Sequence, residues 1–156
     1  MNGRLQLVVF WLDDLRYALP LTMVERTVRV VDITPLPGAP GVVRGVINVQ
    51  GRIVPVFETR RRFALPERDV RLEDHLLIAR TAARTVALLV DAVEGLFQCG
   101  DCDATPADRV WPGIGPVAGV VKRSDGLILI HDLDAFLSAD ERGALEQALS
   151  AEPRGP

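Results

Sequence analysis

The sequence predicts an all-β fold of two small barrels with one C-terminal helix, and three observations carry that prediction. First, the apolar runs are short, rich in β-branched residues and bounded by turn residues, as in Leu5–Leu12, Val42–Val49, Ile53–Phe57, His75–Ala79 and Thr85–Val90. That is how strands read, not helices. Second, the chain repeats itself. Within Arg16–Glu25 and Thr85–Glu94, Leu19, Leu21, Val24 and Glu25 match Leu88, Val90, Val93 and Glu94 at a constant offset. Gly45-Val46-Ile47 with Gly51 then resembles Gly119-Val120-Val121 with Gly126, and Val54–Phe57 resembles Leu129–Asp132, at an offset a few residues longer. Self-similarity of this kind means one supersecondary unit used twice. Each half offers about five short strands, and closing them into a barrel removes the exposed edges of an open sheet. Third, a helix start signal stands at Ser138-Ala-Asp-Glu141.

Composition narrows the function classes. At 156 residues the chain is one ordinary domain or two subdomains sharing a core. With 48% hydrophobic and only 5% aromatic residues, that core must be built from Val, Leu, Ile and Ala. A net charge of −3 argues against non-specific nucleic-acid binding, which needs a basic stripe. No apolar run approaches the ~18 residues of a membrane span. The apolar start is cut short by Asp13-Asp14 and has no small-residue cleavage site, which argues against a signal peptide. Two cysteines make no disulfide framework. The expectation is a soluble, cytoplasmic, Val-rich domain over residues 5–149. Its approximate halves are 16–80 and 81–134, with the N-terminal strand and C-terminal helix crossing between them, and residues 150–156 form a flexible tail.

In chain order, Leu5–Leu12 reads as a buried strand and Asp13–Arg16 as a hairpin loop. Tyr17–Leu21 alternates, with Pro20 placing it at an edge or at the start of a turn. Met23–Val31 reads as a strand with a bend. Pro37, Gly38, Pro40 and Gly41 are turn residues, and Gln50-Gly51-Arg52 joins a strand pair through a short glycine loop. Ala64–Asp74 reads as a loop preceded by one helical turn around Arg60–Phe63. A second hairpin turns at Arg80–Arg84, and Val93–Gln98 continues beyond it. Gly100–Gly115 is loop material. Val117–Val121 and Leu127–Ile130 pair around Lys122–Gly126, with Asp125-Gly126 as the hairpin signal. The capping box of Ser138 and Glu141 starts a helix over Ala139–Ala151, with Leu145 and Leu149 inward.

Little in the chain reads as chemistry. Cys99-Gly-Asp-Cys102 is a lone C-x-x-C. A structural zinc needs four ligands, and His75 and His131 stand far off beside apolar strand residues. A redox motif expects a helix N-terminus in an α/β setting. A metal or redox module is therefore a remote alternative, and no metal or cofactor is expected. Glu58, Asp91, Glu94 and Asp132 sit at strand ends, as surface turns commonly arrange, without a nucleophile or phosphate loop beside them. His131 reads as a half-buried strand-end histidine. Arg60-Arg61-Arg62 reads as a solvated charge cluster, because three consecutive arginines fan to different sides of a backbone. The chain is read as a binding module, not an enzyme.

Pro37-Gly-Ala-Pro-Gly-Val-Val-Arg-Gly45-Val-Ile-Asn-Val-Gln50-Gly51-Arg-Ile-Val-Pro55-Val-Phe-Glu58 resembles the signature of the CheW-like family of bacterial chemotaxis adaptors. Val8-Val9-Phe10 with Tyr17, Leu89–Val93, Gly119-Val120 and Asp132-Leu133 fall where that family has its other marks. The resemblance runs from about Leu5 to Leu149. It implies two SH3-like five-stranded β-barrel subdomains packed together and a non-catalytic adaptor that couples chemoreceptors to a CheA-type histidine kinase. The kinase's regulatory domain would dock barrel to barrel, and the cytoplasmic tip of the receptor would enter the groove between the barrels. It further implies recruitment to membrane-associated receptor arrays without insertion into the membrane, and no binding of nucleic acid. The family's partner surfaces map to Val24, Arg26, Gly45, Gln50 and Gly51. Gln50 stands where the family usually has an arginine, Arg26 where an acidic residue is common, and Glu58 for the usual aspartate. An alternative is therefore an adaptor of a non-flagellar pathway, type IV pilus or developmental, with divergent partner surfaces.

Overall fold

A computed structural model of the chain describes residues 5–99, 104–106 and 117–151. Eleven strands run in the order β1 (Leu5–Leu12), β2 (Leu15–Pro20), β3 (Val24–Arg29), β4 (Val43–Val49), β5 (Arg52–Phe57), β6 (His75–Arg80), β7 (Thr85–Val90), β8 (Ala92–Cys99), β9 (Ala104–Pro106), β10 (Val117–Arg123) and β11 (Gly126–His131). A single helical turn, α1 (Thr59–Arg62), follows β5, and the long helix α2 spans Ala139–Ala151. The first sheet has the order β8-β1-β2-β11-β10-β9, and the second β3-β6-β7-β5-β4. Apart from the three-residue edge strand β9, each sheet therefore has five strands, as the sequence predicts. Of the expected Gly100–Gly115 loop, only β9 is described, and it is a strand paired to β10. The rest of that loop, Cys102 included, lies outside the described residues, as does Glu152–Pro156.

The two repeats and the two sheets are out of phase. Residues 5–57 supply β1–β5, and residues 75–131 supply β6–β11. Yet the β1–β2 hairpin joins the strands of the second repeat, and the β6–β7 hairpin joins those of the first. Thus β2, inside 16–80 but for its first residue, belongs to the first sheet, and β7, inside 81–134, to the second. Each exchange is sealed by a short parallel pair, Arg16–Ala18 beside Ile128–Ile130 and Val56-Phe57 beside Ala87-Leu88. Pro55 lies one residue before that second ladder, where its missing N–H removes no bond from it.

The second sheet closes on itself. After β3 the chain bridges β4, the amides of Thr34 and Val46 each donating to the other's carbonyl at 2.9 and 2.8 Å. Gly45 is what permits this approach. A Cβ there would lie 2.2 Å from the Thr34 carbonyl oxygen, far inside van der Waals contact.

Three apolar clusters follow from this topology. Leu7, Val9, Ala18, Val121, Ile128 and Ile130 fill the first barrel. Ile47, Val54, Val56, Leu76, Ile78 and Leu89 are among those filling the second. The largest cluster lies between the barrels and under α2, where Phe10, Tyr17, Leu77, Leu88, Val120 and Phe136 meet. The strands between these layers are buried on both faces, which is why β7 is an unbroken apolar run after Thr85. The capping box forms as expected. The Glu141 amide donates to Ser138 Oγ at 3.1 Å, and the Ser138 amide to Glu141 Oε1 at 2.9 Å. Leu145 is buried, but Ala148 shares the inner face while Leu149 is only half-buried.

Two readings are corrected. Arg60 is not solvated: it is 6% exposed, because α1 turns it inward while Arg61 stays outside. His131 is not half-buried but 2% exposed, enclosed by the rings of Phe63 and Phe136.

Candidate functional site

The predicted partner residues fall on three parts of the second barrel. Val24 and Arg26 lie on β3, a sheet edge whose residues are exposed or half-buried. Gln50 and Gly51 form the exposed two-residue turn between β4 and β5. Both have positive φ, 52° and 85°, the conformation of a type I′ hairpin turn. The Asn48 side chain fastens the turn by accepting from the Gly51 amide at 2.8 Å. Gly45 is elsewhere: it is buried in β4 and serves barrel closure.

Sequence reasoning missed the residues that tie the first two parts together. Arg52, the first residue after the turn, donates from Nη2 to Glu25 Oε1 at 3.1 Å and from Nη1 to Thr85 Oγ1 at 3.2 Å. Thr85 in turn donates to Glu25 Oε2 at 3.3 Å. The starts of β3, β5 and β7 are thereby joined at one end of the barrel. Glu25 reaches this position because it is the extra residue of a β-bulge. Val24 faces Ala79 and Arg26 faces Ile78, leaving Glu25 unpaired and turned out of the ladder.

The repeat reproduces this device in the first barrel, where Glu94 is the extra residue between Val93 and Gly95 opposite β1. It accepts from Trp11 Nε1 at 3.0 Å and lies 4.0 Å from Arg16 and 3.7 Å from Arg123. The matched pair Glu25 and Glu94 was the available signal in the sequence. The two ends differ in one respect. In the first barrel Arg16 holds the hairpin tip down, donating to the Asp125 carboxylate at 3.1 Å and to its carbonyl at 3.0 Å. At the second barrel's tip no hydrogen bond engages the Gln50 side chain among the described residues. The open tip belongs to the second barrel.

Val24 and Val93, equivalent in the repeat, both pack half-buried against the inter-barrel core, as does Met23. Leu21, 36% exposed, precedes them. These side chains mark where the apolar seam reaches the surface.

Of the four carboxylates at strand ends, Glu58, Asp91 and Glu94 are engaged in ion pairs rather than poised for acid–base work, while Asp132 has no ion-pair partner among the described residues. Glu58 lies 2.6 Å from Arg44. Asp91 accepts from Arg60 at 2.6 Å, from Arg68 at 2.6 Å and from the Asp13 amide at 2.7 Å. Arg60 also donates to Asp13 at 2.5 Å and Arg68 to Asp74 at 2.8 Å. The network fastens the β1–β2 turn of one barrel to α1 and β7 of the other. Burial alone would raise the Asp74 carboxyl, but Arg68 and the Arg71 amide hold it below the usual carboxylate range. His131, with neither ring nitrogen bonded, is pushed down to about 3 by burial, so it is neutral in the folded protein. Among the described residues no group of three or more His, Cys, Asp or Glu side chains is placed to hold a metal ion. Nor, among them, is any helix long and apolar enough to cross a membrane.

Comparison with known proteins agrees with this geometry. The family model described as "CheW-like domain" matches residues 6–141. A protein of Rhizobium meliloti named "Chemotaxis protein CheW" is 27% identical over 145 residues, covering 92% of this chain and 94% of that one. One of the same name from Treponema pallidum is 26% identical over 146 residues, covering 90% and 86%. The crystal structure of the scaffolding protein TtCheW from Thermoanaerobacter tengcongensis superposes with a TM-score of 0.78 at 26% identity, covering 89% of this chain and 96% of that one.

Proposed function

The chain belongs to the CheW-like domain family, a family of non-catalytic scaffolds, and on that premise we propose that it couples chemoreceptors to a CheA-type histidine kinase. The observation that carries this reading is the open end of the second barrel. There the Gln50-Gly51 tip stands free of side-chain bonds from Gln50, and Glu25, Arg52 and Thr85 fix it relative to Val24 and Arg26. A preorganised, exposed surface of this kind loses little freedom on docking. The kinase's regulatory domain is assigned to this end, with Arg26, Gln50 and Gly51 in contact and Gly45 shaping the strand behind them. The receptor tip, a helical hairpin, is assigned to the apolar seam at Leu21, Met23, Val24 and Val93, since such a seam accepts a helix face. Weak contacts at both places gain strength in an array through effective concentration. The site of action is the cytoplasmic face of membrane-associated receptor arrays.

A second reading, an adaptor of a non-flagellar chemosensory pathway, is favoured by two exposed side chains. Gln50 and Arg26 depart from the family pattern, and Arg26 has no carboxylate partner among the described residues, so its charge is available to a partner. Co-purification from the native lysate tests both readings. Recovery of a CheA-type kinase with a receptor supports the adaptor role, and the identity of that receptor decides between the pathways. Loss of neither partner in Gln50→Arg or Arg26→Glu would refute the assignment of the surface.

A further inference from the structure

We propose that a cavity between the β6–β7 turn and α2 is a binding site for a compact apolar carboxylic acid. The cavity measures about 110 Å³. Its floor is Phe57, Val86, Leu133, Leu137 and Leu145, part of the inter-barrel core. Its mouth is the β6–β7 turn on one side and Arg142 with Glu146 of α2 on the other. Size decides the class of occupant. An apolar cavity of ~150 Å³ takes a benzene ring, while sites for cofactors and drug-sized ligands run to ~300 Å³ and more. At about 110 Å³ this one is smaller, so it suits a branched aliphatic group or a ring seated partly in its open mouth, and it excludes a nucleotide.

Charge at the mouth decides the head group. Arg84 is paired with Glu146, and Asp134 accepts from the Ala82 amide at 2.9 Å. The turn's remaining amides at Ala83 and Arg84 donate to Thr81 Oγ1. Arg142 is exposed and has no carboxylate partner among the described residues. A carboxylate above the apolar floor would therefore meet one uncommitted guanidinium, on the α2 side of the mouth. A planar fork of donors is suited to that group. No residue of the proposed partner surface takes part, so this site and the adaptor reading fail independently.

Benzoate and its neutral isostere benzamide test the site by ¹H–¹⁵N NMR titration of the full chain. Benzoate at millimolar concentration is expected to shift the amides of Ala82, Ala83 and Leu145, with benzamide weaker by up to about fivefold, as a single solvent-exposed ion pair gives. Arg142→Ala, on the exposed face of α2, is expected to bring benzoate down to the level of benzamide. Val86→Leu, which fills the floor, is expected to weaken both. Equal binding of the two ligands, benzoate shifts unchanged in Arg142→Ala, or no shift at these amides at tens of millimolar would each overturn the proposal.

Discussion

The guanidinium of Arg52 and the carboxylate of Glu25 meet at 3.1 Å across the open end of the second barrel, joining two segments that lie 27 residues apart. Neither side chain is buried, at 47% and 34% exposed, so the pair contributes only about 0–1 kcal/mol to stability. Its contribution is to orientation: it sets the hairpin tip against the bulged edge strand. Glu25→Gln is therefore expected to shift the urea midpoint slightly while weakening kinase binding by several-fold. The reciprocal exchange, Glu25→Arg with Arg52→Glu, should recover most of that loss. A stability change as large as the binding change would assign the pair a folding role instead.

Two glycines of one hairpin should respond to very different degrees. At Gly51 nothing lies within 4 Å of the place a Cβ would take, so Gly51→Ala meets only the backbone cost of φ 85°, about 1 kcal/mol. At Gly45 the methyl would strike the Thr34 carbonyl and force open the bridge that closes the barrel. Loss of more than ~3 kcal/mol, or failure to fold, is expected there. Urea unfolding of the two variants checks the contrast, and similar midpoints would refute the closure role of Gly45.

The Arg60 network ties the β1–β2 turn of one barrel to α1 and the end of β7 in the other. Removing the guanidinium in Arg60→Met leaves the Asp13 and Asp91 carboxylates facing each other with less compensation. The expected cost is about 2–4 kcal/mol, toward the lower side of a buried pair because Asp13 remains 40% exposed. Adding Asp13→Asn should return part of it, measured as a coupling energy in a double-mutant cycle. Strict additivity of the two changes would show that they do not share a network.

Much of this architecture was legible in the residues. Period-2 and β-branched runs located most strands, the capping box located α2, and the Leu19/Leu88 and Glu25/Glu94 matches exposed the repeat. What stayed hidden depends on contacts remote in sequence. Nothing local in Tyr17–Leu19 says that β2 will lie parallel to β11 rather than within its own repeat's barrel. Nothing local in Arg60-Arg61-Arg62 says that the middle arginine faces out while its neighbour finds Asp13 and Asp91. For the site, Gln50 and Gly51 were readable as a turn. Glu25 as a bulge residue held by Arg52 was not, because a bulge is a property of two strands and not of one.

His131 makes the fold sensitive to acid in a definable window. As the pH falls through 6.5 an unfolded histidine takes up a proton, whereas the folded one resists until about 3. Between those values the unfolded state binds more protons, so stability must fall with falling pH, by up to about 1.4 kcal/mol per pH unit. The Asp74 carboxylate, held low in the folded state, has the same sign but acts later. Its stabilisation is present above the ordinary aspartate value of about 3.9 and is lost as the pH falls through the lower folded value. Burial would raise the Glu141 carboxyl, but Arg62 and the Ser138 amide hold it low too, so it joins near the ordinary glutamate value of about 4.3, and the interval from pH 6.5 to about 5.5 is the histidine's. His131→Leu removes two buried nitrogens that have no partner, so at about pH 7 it should be neutral or stabilising within about 1 kcal/mol. At about pH 4.5 it should be clearly more stable than the parent. Urea unfolding at about pH 7.0, 5.5 and 4.5 measures both slopes, and parallel acid limbs for parent and variant would place the protonation elsewhere.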